Sequence, residues 1–422
     1  MRTRRLLPGL LALAASGGES TEVRIESDAS KIEPRDRACV SILVQAAHAF
    51  APGDSPADAL LRAVSVAKAT KRVTLAEYLR AAIDGDLAKL DRTEMDDVDP
   101  DLVLLSGRAD GAKGKPDYLV VGWRDATEHR WLDAFLEHWA EFGASLPLPA
   151  GFSQPEGAPR GTFRIANLFI RGGSVSESTS SSTFLPSDPA LRRERGLSGV
   201  FWKNVMETAW WRHGVAPTVP LVLIPEQVAL PTAAALLRFY ATRFTTYELG
   251  PQEVQTPAGP VPLAERFGEL NDPLGIAKAD LLAVLAHEWL IAKGTMPKTT
   301  SDENLAMLVV MSFRALQDAL DGKAPPPHEA ASALVLNTLR ERGAIAIDAE
   351  KDRWRVDLAK TRAAVRQLAG EILEVQASGD LARARALVKE RGRIGPELRR
   401  TLDRVAALPA EKLAPKWIVR GL

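Results

Sequence analysis

The sequence predicts an α+β fold, predominantly helical, and three observations carry that prediction. Short apolar runs bounded by glycine and lysine cluster before residue 186. Apolar residues at helical spacing dominate from there to the end of the chain. No internal repeat interrupts either pattern. A chain of 422 residues has room for two domains or one large two-lobed unit.

In chain order, residues 33–83 read as helical, first through Val40, Leu43, Val44 and Ala47, then through Leu60, Leu61, Val64 and Val66. Pro52, Gly53 and Pro56 punctuate the run, and Pro56 suits a first helical position after Ser55. "DLVLLSG" and "DYLVVGW" read as two strands. "DATEHRWLDAFLEHWAEFG" is an amphipathic helix with Trp131, Phe135, Leu136 and Trp139 on one face, stopped at Gly143. "LPLPAGFSQPEGAP" is a linker, "TFRIANLFIRGG" a strand and "SVSESTSSSTF" a loop. Helices are expected at 189–194, 198–213, 226–248, 273–293, 301–321 and 328–342. "AIAIDAEKDRWRVD" then makes a β-hairpin, and helices return at 359–376, 379–391 and 396–406. The expected organisation is a leader over 1–20, a mixed α/β lobe over 30–185 and a mainly helical lobe over 186–422, with residues up to about 25 outside the fold.

Composition excludes several classes. Hydrophobic residues make up 46% and charged residues 26%, ordinary for a soluble globular chain. Lys plus Arg equals Asp plus Glu at 54 each, so no bulk charge favours nucleic acid or an anionic membrane. The basic runs at Arg192-Arg193 and from Arg383 read as solvated helix faces. The single cysteine, Cys39, can form neither an internal disulfide nor a cysteine zinc site and reads as a buried thiol. At the N-terminus, Arg2, Arg4 and Arg5 precede an apolar stretch from Leu6 to Ala15 and then small residues, the anatomy of a secretory signal peptide. Leu13-Ala14-Ala15 opens like a bacterial lipoprotein processing box, but Ser16 stands where the lipid-bearing cysteine belongs. An exported, periplasmic protein without a lipid anchor is expected; the rival is a cytoplasmic N-terminus with no fold. Nothing later is long and apolar enough to be a transmembrane segment.

Chemistry-bearing spacings are absent. A helical zinc site needs two histidines one turn apart and a carboxylate. None of His48, His129, His138, His213, His287 and His328 has a partner at that spacing. "HEWLI" has Ile291 where a second histidine belongs, and "HEAAS" has Ser332. No nucleophile elbow is present, and "SGRADGAKGKPDY" lacks the order of a phosphate loop. The aromatic stretch "FWKNVMETAWWRHG" reads as core packing.

Three stretches nevertheless carry a family resemblance. "FLPSDPALRRERGLSGVFWKNVMETAW", "LPTAAALLRFYATRFTTYELGP" and "LNDPLGIAKADLLAVLAHEWLIAKGTMPK" resemble, in order, the Leu-Pro-Asn-Asp-Glu stretch with its Lys-Asn-Val-Met helix, the zinc helix and the second metal helix of the dipeptidyl-peptidase III family, zinc peptidases of the M49 type, in its bacterial short branch. Ser312-Phe313-Arg314, His328, "LRERGAIAID", "RWRVD" and "GDLARARALVKERG" also have counterparts, and "RWLDAFLEHWAEFGASLPLP" and "TFRIANLFIRGG" match more weakly. The resemblance covers most of residues 30–422. It implies a two-lobed, peptidase-like architecture with a central cleft.

In that family the zinc helix reads His-Glu-x-x-His-Gly-Leu-Gly-Pro. Anchored on Leu249-Gly250-Pro251, Arg243 takes the place of the first histidine, Phe244 that of the glutamate and Tyr247 that of the second histidine. Anchored on Ala277-Lys278-Ala279-Asp280, Gly275 and Ile276 take the places of the Glu-Glu pair that supplies the third ligand. Arginine cannot donate a lone pair, phenylalanine cannot take a proton from water, and glycine and isoleucine offer no oxygen. The family's Gly-Pro-Tyr-Glu segment is not recognisable; "DPDLVLLSGRADG" stands there. His328, Arg314, Lys203 and Asn204 match substrate-facing positions and, with Arg243 and Tyr247, are the expected ligand-binding residues. Arg243 either substitutes a fixed cation for the metal charge or extends to solvent. The expectation is a catalytically inactive, pseudopeptidase member without a metal cofactor, binding a peptide or another small ligand. The alternatives are an active zinc hydrolase with a misaligned or relocated site built from His287, Glu288, Asp280 and His328, and a structural envelope protein.

Overall fold

In a computed structural model the described residues are 20–48, 57–69, 71–93, 98–107, 116–149, 152, 161–186, 191, 194–408 and 412–422. The leader and Ser16 lie outside them, as does most of the helix expected at 189–194. The chain divides into two compact units. One comprises Met1–Arg130, Arg160–Trp210 and Glu411–Leu422; the other comprises Trp131–Pro159 and Trp211–Ala410.

The first unit is built on a five-stranded sheet. Its strands β2 (Leu102–Gly107), β3 (Tyr118–Arg124), β4 (Phe163–Gly173), β5 (Ser182–Leu185) and β6 (Ser198–Trp202) lie in the order β2-β3-β4-β6-β5. β4 and β6 run parallel and the other neighbours antiparallel. Strand side chains alternate between faces. Leu102 and Leu104 accordingly join Cys39, Leu43, Leu60, Leu75 and Leu79 of the N-terminal helices in one core. Val103 and Leu105 join Val200, Trp202 and Val205 in another. Burial on both faces is why "DLVLLSG" reads as a continuous apolar run rather than an alternating one.

The second core also takes Val23 and Ile25 from β1 (Ser20–Asp28). β1 pairs in parallel with β11 (Lys412–Arg420), from Ser20 opposite Lys412 to Asp28 opposite Arg420. The fold therefore includes residues 20–28, ahead of the expected start, and this pairing places Lys412–Arg420 in the first unit. The observed partition departs from a single boundary at 185/186. Two further departures concern strands: β5 overlaps the end of the expected serine loop, and β6 occupies the first turn of the helix expected at 198–213. β6 passes directly into Lys203–Val205 and the π-helix Met206–Val215. The apolar "SGVFW" merges with the helix after it, so periodicity gives no boundary between them.

The second unit is helical, apart from two hairpins. β7 (Glu253–Thr256) pairs with β8 (Gly259–Pro262), and β9 (Ile345–Asp348) pairs with β10 (Arg353–Val356). Its centre is the helix Asn271–Ala292, buried on nearly every side. A helix apolar all round belongs in a core. Ala233–Thr245, Thr299–Leu320, Pro327–Glu341 and Leu358–Ser378 all pack against it. Capping marks several starts: Thr232 accepts from Ala235 N at 3.1 Å and Asp357 from Lys360 N at 3.0 Å.

Candidate functional site

Two helices of the second unit bring most of the expected site residues together. Ala233–Thr245 buries Leu236, Phe239 and Thr242, which leaves Arg243, Phe244 and then Tyr247 on a half-open side. The chain turns after it through Gly250, whose φ of 84° favours glycine and where a Cβ would stand 2.5 Å from Leu373 Cδ2, so that a larger residue would have to displace that methyl. Lys278 of the central helix donates from Nζ to Leu249 O at 2.6 Å and ties this turn down. Burial pulls the Lys278 amine down to about 8, opposed by the charge of Glu248.

Arg243 is the centre of the arrangement. Its Nε lies 2.5 Å from Asp280 Oδ1, with side chains only 13% and 11% exposed. The guanidinium carbon stands 5.5 Å from the Phe244 ring centroid and 6.0 Å from that of Tyr240, and these two rings meet edge-on at 5.1 Å. Burial pushes the Asp280 carboxyl up, and Arg243 only partly offsets it. Tyr247 keeps 39% of its surface open, while its hydroxyl lies over Gly275, 3.1 Å from where a Cβ there would stand. Burial first and Asp272 second raise its phenol pKa, against the pull of Arg243, so Tyr247 stays protonated at neutral pH. His328 is drawn down to about 3 by burial and by the Arg243 charge, and its imidazole is neutral. Ile276 is half-buried beside Gly275.

The remaining candidates are occupied elsewhere. Arg314 makes a two-pronged pair with Asp318, at 2.7 and 3.2 Å. Lys203 and Asn204 belong to the first unit. Lys203 Nζ lies 3.0 Å from Asp125 Oδ2, and Asn204 bonds the Leu168 amide and carbonyl and the Glu26 carbonyl.

These residues do not fit a zinc ion. Zinc takes three protein donors of nitrogen, sulfur or oxygen and an open position. Of Arg243, Phe244, Tyr247, Gly275 and Ile276, only the tyrosine carries a donor, and its phenol is held protonated. The relocated set does not converge either. His287 is fully buried with Nε2 2.9 Å from Thr242 Oγ1, and burial brings its imidazole down to about 3. Glu288 is engaged by Ser301 and Arg362, and Asp280 by Arg243. Among the described residues no group of three or more His, Cys, Asp or Glu side chains is placed to hold a metal ion. A pocket of about 270 Å³ in this unit, lined by Phe142, Leu285, Glu288, Trp289 and Arg366, includes none of Arg243, Tyr247 and His328.

Sequence reasoning missed the partnership of Arg243 with Asp280 and the ring pair beneath it. A signal was available: Tyr240 and Phe244 are one turn apart, Arg243 lies between them, and a buried arginine needs a carboxylate.

The chain has the dipeptidyl-peptidase III fold. It superposes on dipeptidyl-peptidase III from Caldithrix abyssi with a TM-score of 0.74, at 23% identity over 86% of this chain and 70% of that one. It superposes on the enzyme from Corallococcus sp. strain EGB with a TM-score of 0.65, at 21% identity over 86% and 67%. A curated relative, Nudix hydrolase 3 of Arabidopsis thaliana, is 26% identical over 284 residues, 67% of this chain. The chain spans 36% of the length of that relative. No family model matches the chain. No helix among the described residues is long and apolar enough to cross a membrane.

Proposed function

We propose that this chain binds a peptide or another small ligand on the dipeptidyl-peptidase III fold and does not hydrolyse it. The observation that supports this reading is the Arg243–Asp280 pair, whose arginine lies on the helix that the Leu249-Gly250-Pro251 resemblance equates with the family's zinc helix. A guanidinium held by a buried carboxylate puts fixed positive charge where a peptidase of this fold would carry its metal, and a cation in that place repels Zn²⁺. Phe244, at the position of the general base, can neither accept nor relay a proton. The basic, apolar and small-residue order of the first sixteen residues supports export to the periplasm.

Elemental analysis of the purified full chain, beside a dipeptide-arylamide hydrolysis assay, tests the reading. Zinc well below one equivalent and no turnover are expected, together with a thermal shift on adding peptide. Stoichiometric zinc, or turnover abolished by a chelator, would establish an active metallohydrolase instead. No shift with any peptide would favour a structural role in the envelope. The register has its own test. The combined change Arg243→His, Phe244→Glu, Tyr247→His, Gly275→Glu and Ile276→Glu should create zinc affinity absent from the parent chain, and failure to do so removes support for the alignment.

A further inference from the structure

We infer that Arg243 is the anchor of a subsite for a carboxylate group. This deepens the binding reading above and rests on it. Arg243 is pinned through one nitrogen, Nε on Asp280 at 2.5 Å, while the Phe244 and Tyr240 rings flank the guanidinium. Among the described residues nothing accepts a hydrogen bond from Nη1 or Nη2, and the side chain keeps 13% of its surface open. The outer edge of the fork is thus immobilised and unused. A guanidinium edge presents two parallel N–H donors, a geometry that matches the two oxygens of a carboxylate. Backing by Asp280 holds the fork in place, so little side-chain entropy remains to be lost on binding.

The surroundings make the guest an anion. His328 and Tyr247 on this side are both neutral, and the second cation near them is Lys278, whose Nζ lies 5.9 Å from the Tyr247 ring centroid and is committed to Leu249 O. Asp280 lies behind the fork and Asp272 acts on Tyr247 from the start of the same helix. A singly charged carboxylate is attracted by Arg243 without a large opposing field. A doubly charged phosphate doubles the attraction and the repulsion alike, so selection falls to shape: the two-donor edge pairs both oxygens of a carboxylate and leaves a third phosphate oxygen without a donor from the fork.

Isothermal titration of the full chain with N-acetyl-phenylalanine, its primary amide and phenyl phosphate reads this directly. The acid is expected to bind at least about tenfold more tightly than the amide, the ratio that one charge-assisted contact supplies. Phenyl phosphate is expected to bind no better than the acid. Arg243→Lys, which keeps the charge but loses the fork, should remove most of the preference for acid over amide. Because changing Arg243 alone strands Asp280, the paired Arg243→Gln/Asp280→Asn variant repeats the measurement with a neutral, similarly shaped pair, and folding is checked by circular dichroism. Equal affinity for acid and amide in the parent chain, or an unchanged ratio in the folded paired variant, overturns the subsite. Tighter binding of the phosphate overturns the carboxylate assignment. A peptide that stabilises the parent and the paired variant alike leaves the binding reading standing while this inference falls; no binding of peptide, acid or phosphate removes both.

Discussion

Each unit carries a half-buried or buried cation–carboxylate pair, and the two are built differently. In the first unit Asp125 is saturated. Its carboxylate takes Lys203 at 3.0 Å and Asn167 at 3.0 Å, and it caps a helix through the amides of Thr127 and Glu128. Burial pushes Asp125 up, but the Glu128 amide, Lys203 and Asn167 together bring it below its ordinary value. In the second unit Asp280 has Arg243, and burial prevails there. The first pair is finished by its own fold, whereas the second leaves a guanidinium edge open. A match to a family's ligand position says nothing about which kind of pair is present; the count of bonds on the carboxylate does.

The largest expected effect breaks the saturated pair. Asp125→Ala removes a helix cap and leaves Lys203 and Asn167 without their shared acceptor, which should cost about 3 kcal/mol in urea unfolding. Arg243→Gln should cost less, about 2 kcal/mol, because Asp280 can take up a proton rather than remain a stranded charge. If the second loss equals or exceeds the first, Asp280 depends on Arg243 as fully as Asp125 depends on its partners, and the contrast fails.

The pairs should also differ in sign with pH. Asp125 has a folded pKa below its ordinary 3.8, so the stability it contributes is full above 3.8 and is lost as pH falls through its folded value. Asp280 has a raised folded pKa, so its contribution is present below 3.8 and is lost as pH rises through its folded value. Stability profiles of Asp125→Asn and Asp280→Asn should therefore flatten on opposite sides of that pH. His287, drawn from 6.5 to about 3, adds stability that is full above 6.5 and lost as pH falls toward 3. His287→Gln, which can keep a bond to Thr242, should shallow that acid limb. Profiles that coincide with the parent in all three variants would leave the acid response to other groups.

The sequence carried the helices well and the long-range strands poorly. The helix at Pro396–Ala406 matches its expected bounds, because its apolar stripe and Pro396 start are both local signals. β11 was invisible because "KLAPKWIVR" does not alternate cleanly and its partner β1 lies at the other end of the chain. The hairpin Glu253–Pro262 was missed because its prolines argue against strands, although edge positions tolerate them. At the site, the anchors Leu249-Gly250-Pro251 and Ala277–Asp280 placed Arg243, Tyr247 and Gly275 as neighbours. They could not show that Asp280, weighed as a metal ligand, would be taken by Arg243, since that depends on how the two helices meet.

The smallest expected effect tests that meeting point. In Gly275→Ala the new methyl would stand 3.1 Å from the Tyr247 hydroxyl and 3.6 Å from the ring carbon that bears it. The first distance is tight and the second ordinary, so the phenol must yield by a few tenths of an ångström. Tyr247 is 39% exposed and has room to do so. Against this strain stands the helical preference of alanine over glycine, about 1 kcal/mol in a helix interior. The two should nearly cancel, leaving urea stability within about 0.5 kcal/mol of the parent. What should change is the tyrosine itself: Tyr247 moves outward, and its phenol titrates closer to the ordinary value of 10. An ultraviolet titration with the Tyr247→Phe chain as reference isolates that one phenol. A stability loss of about 2 kcal/mol or more would mean that Tyr247 cannot yield, and that its hydroxyl is fixed as firmly over Gly275 as Asp125 is fixed in the first unit.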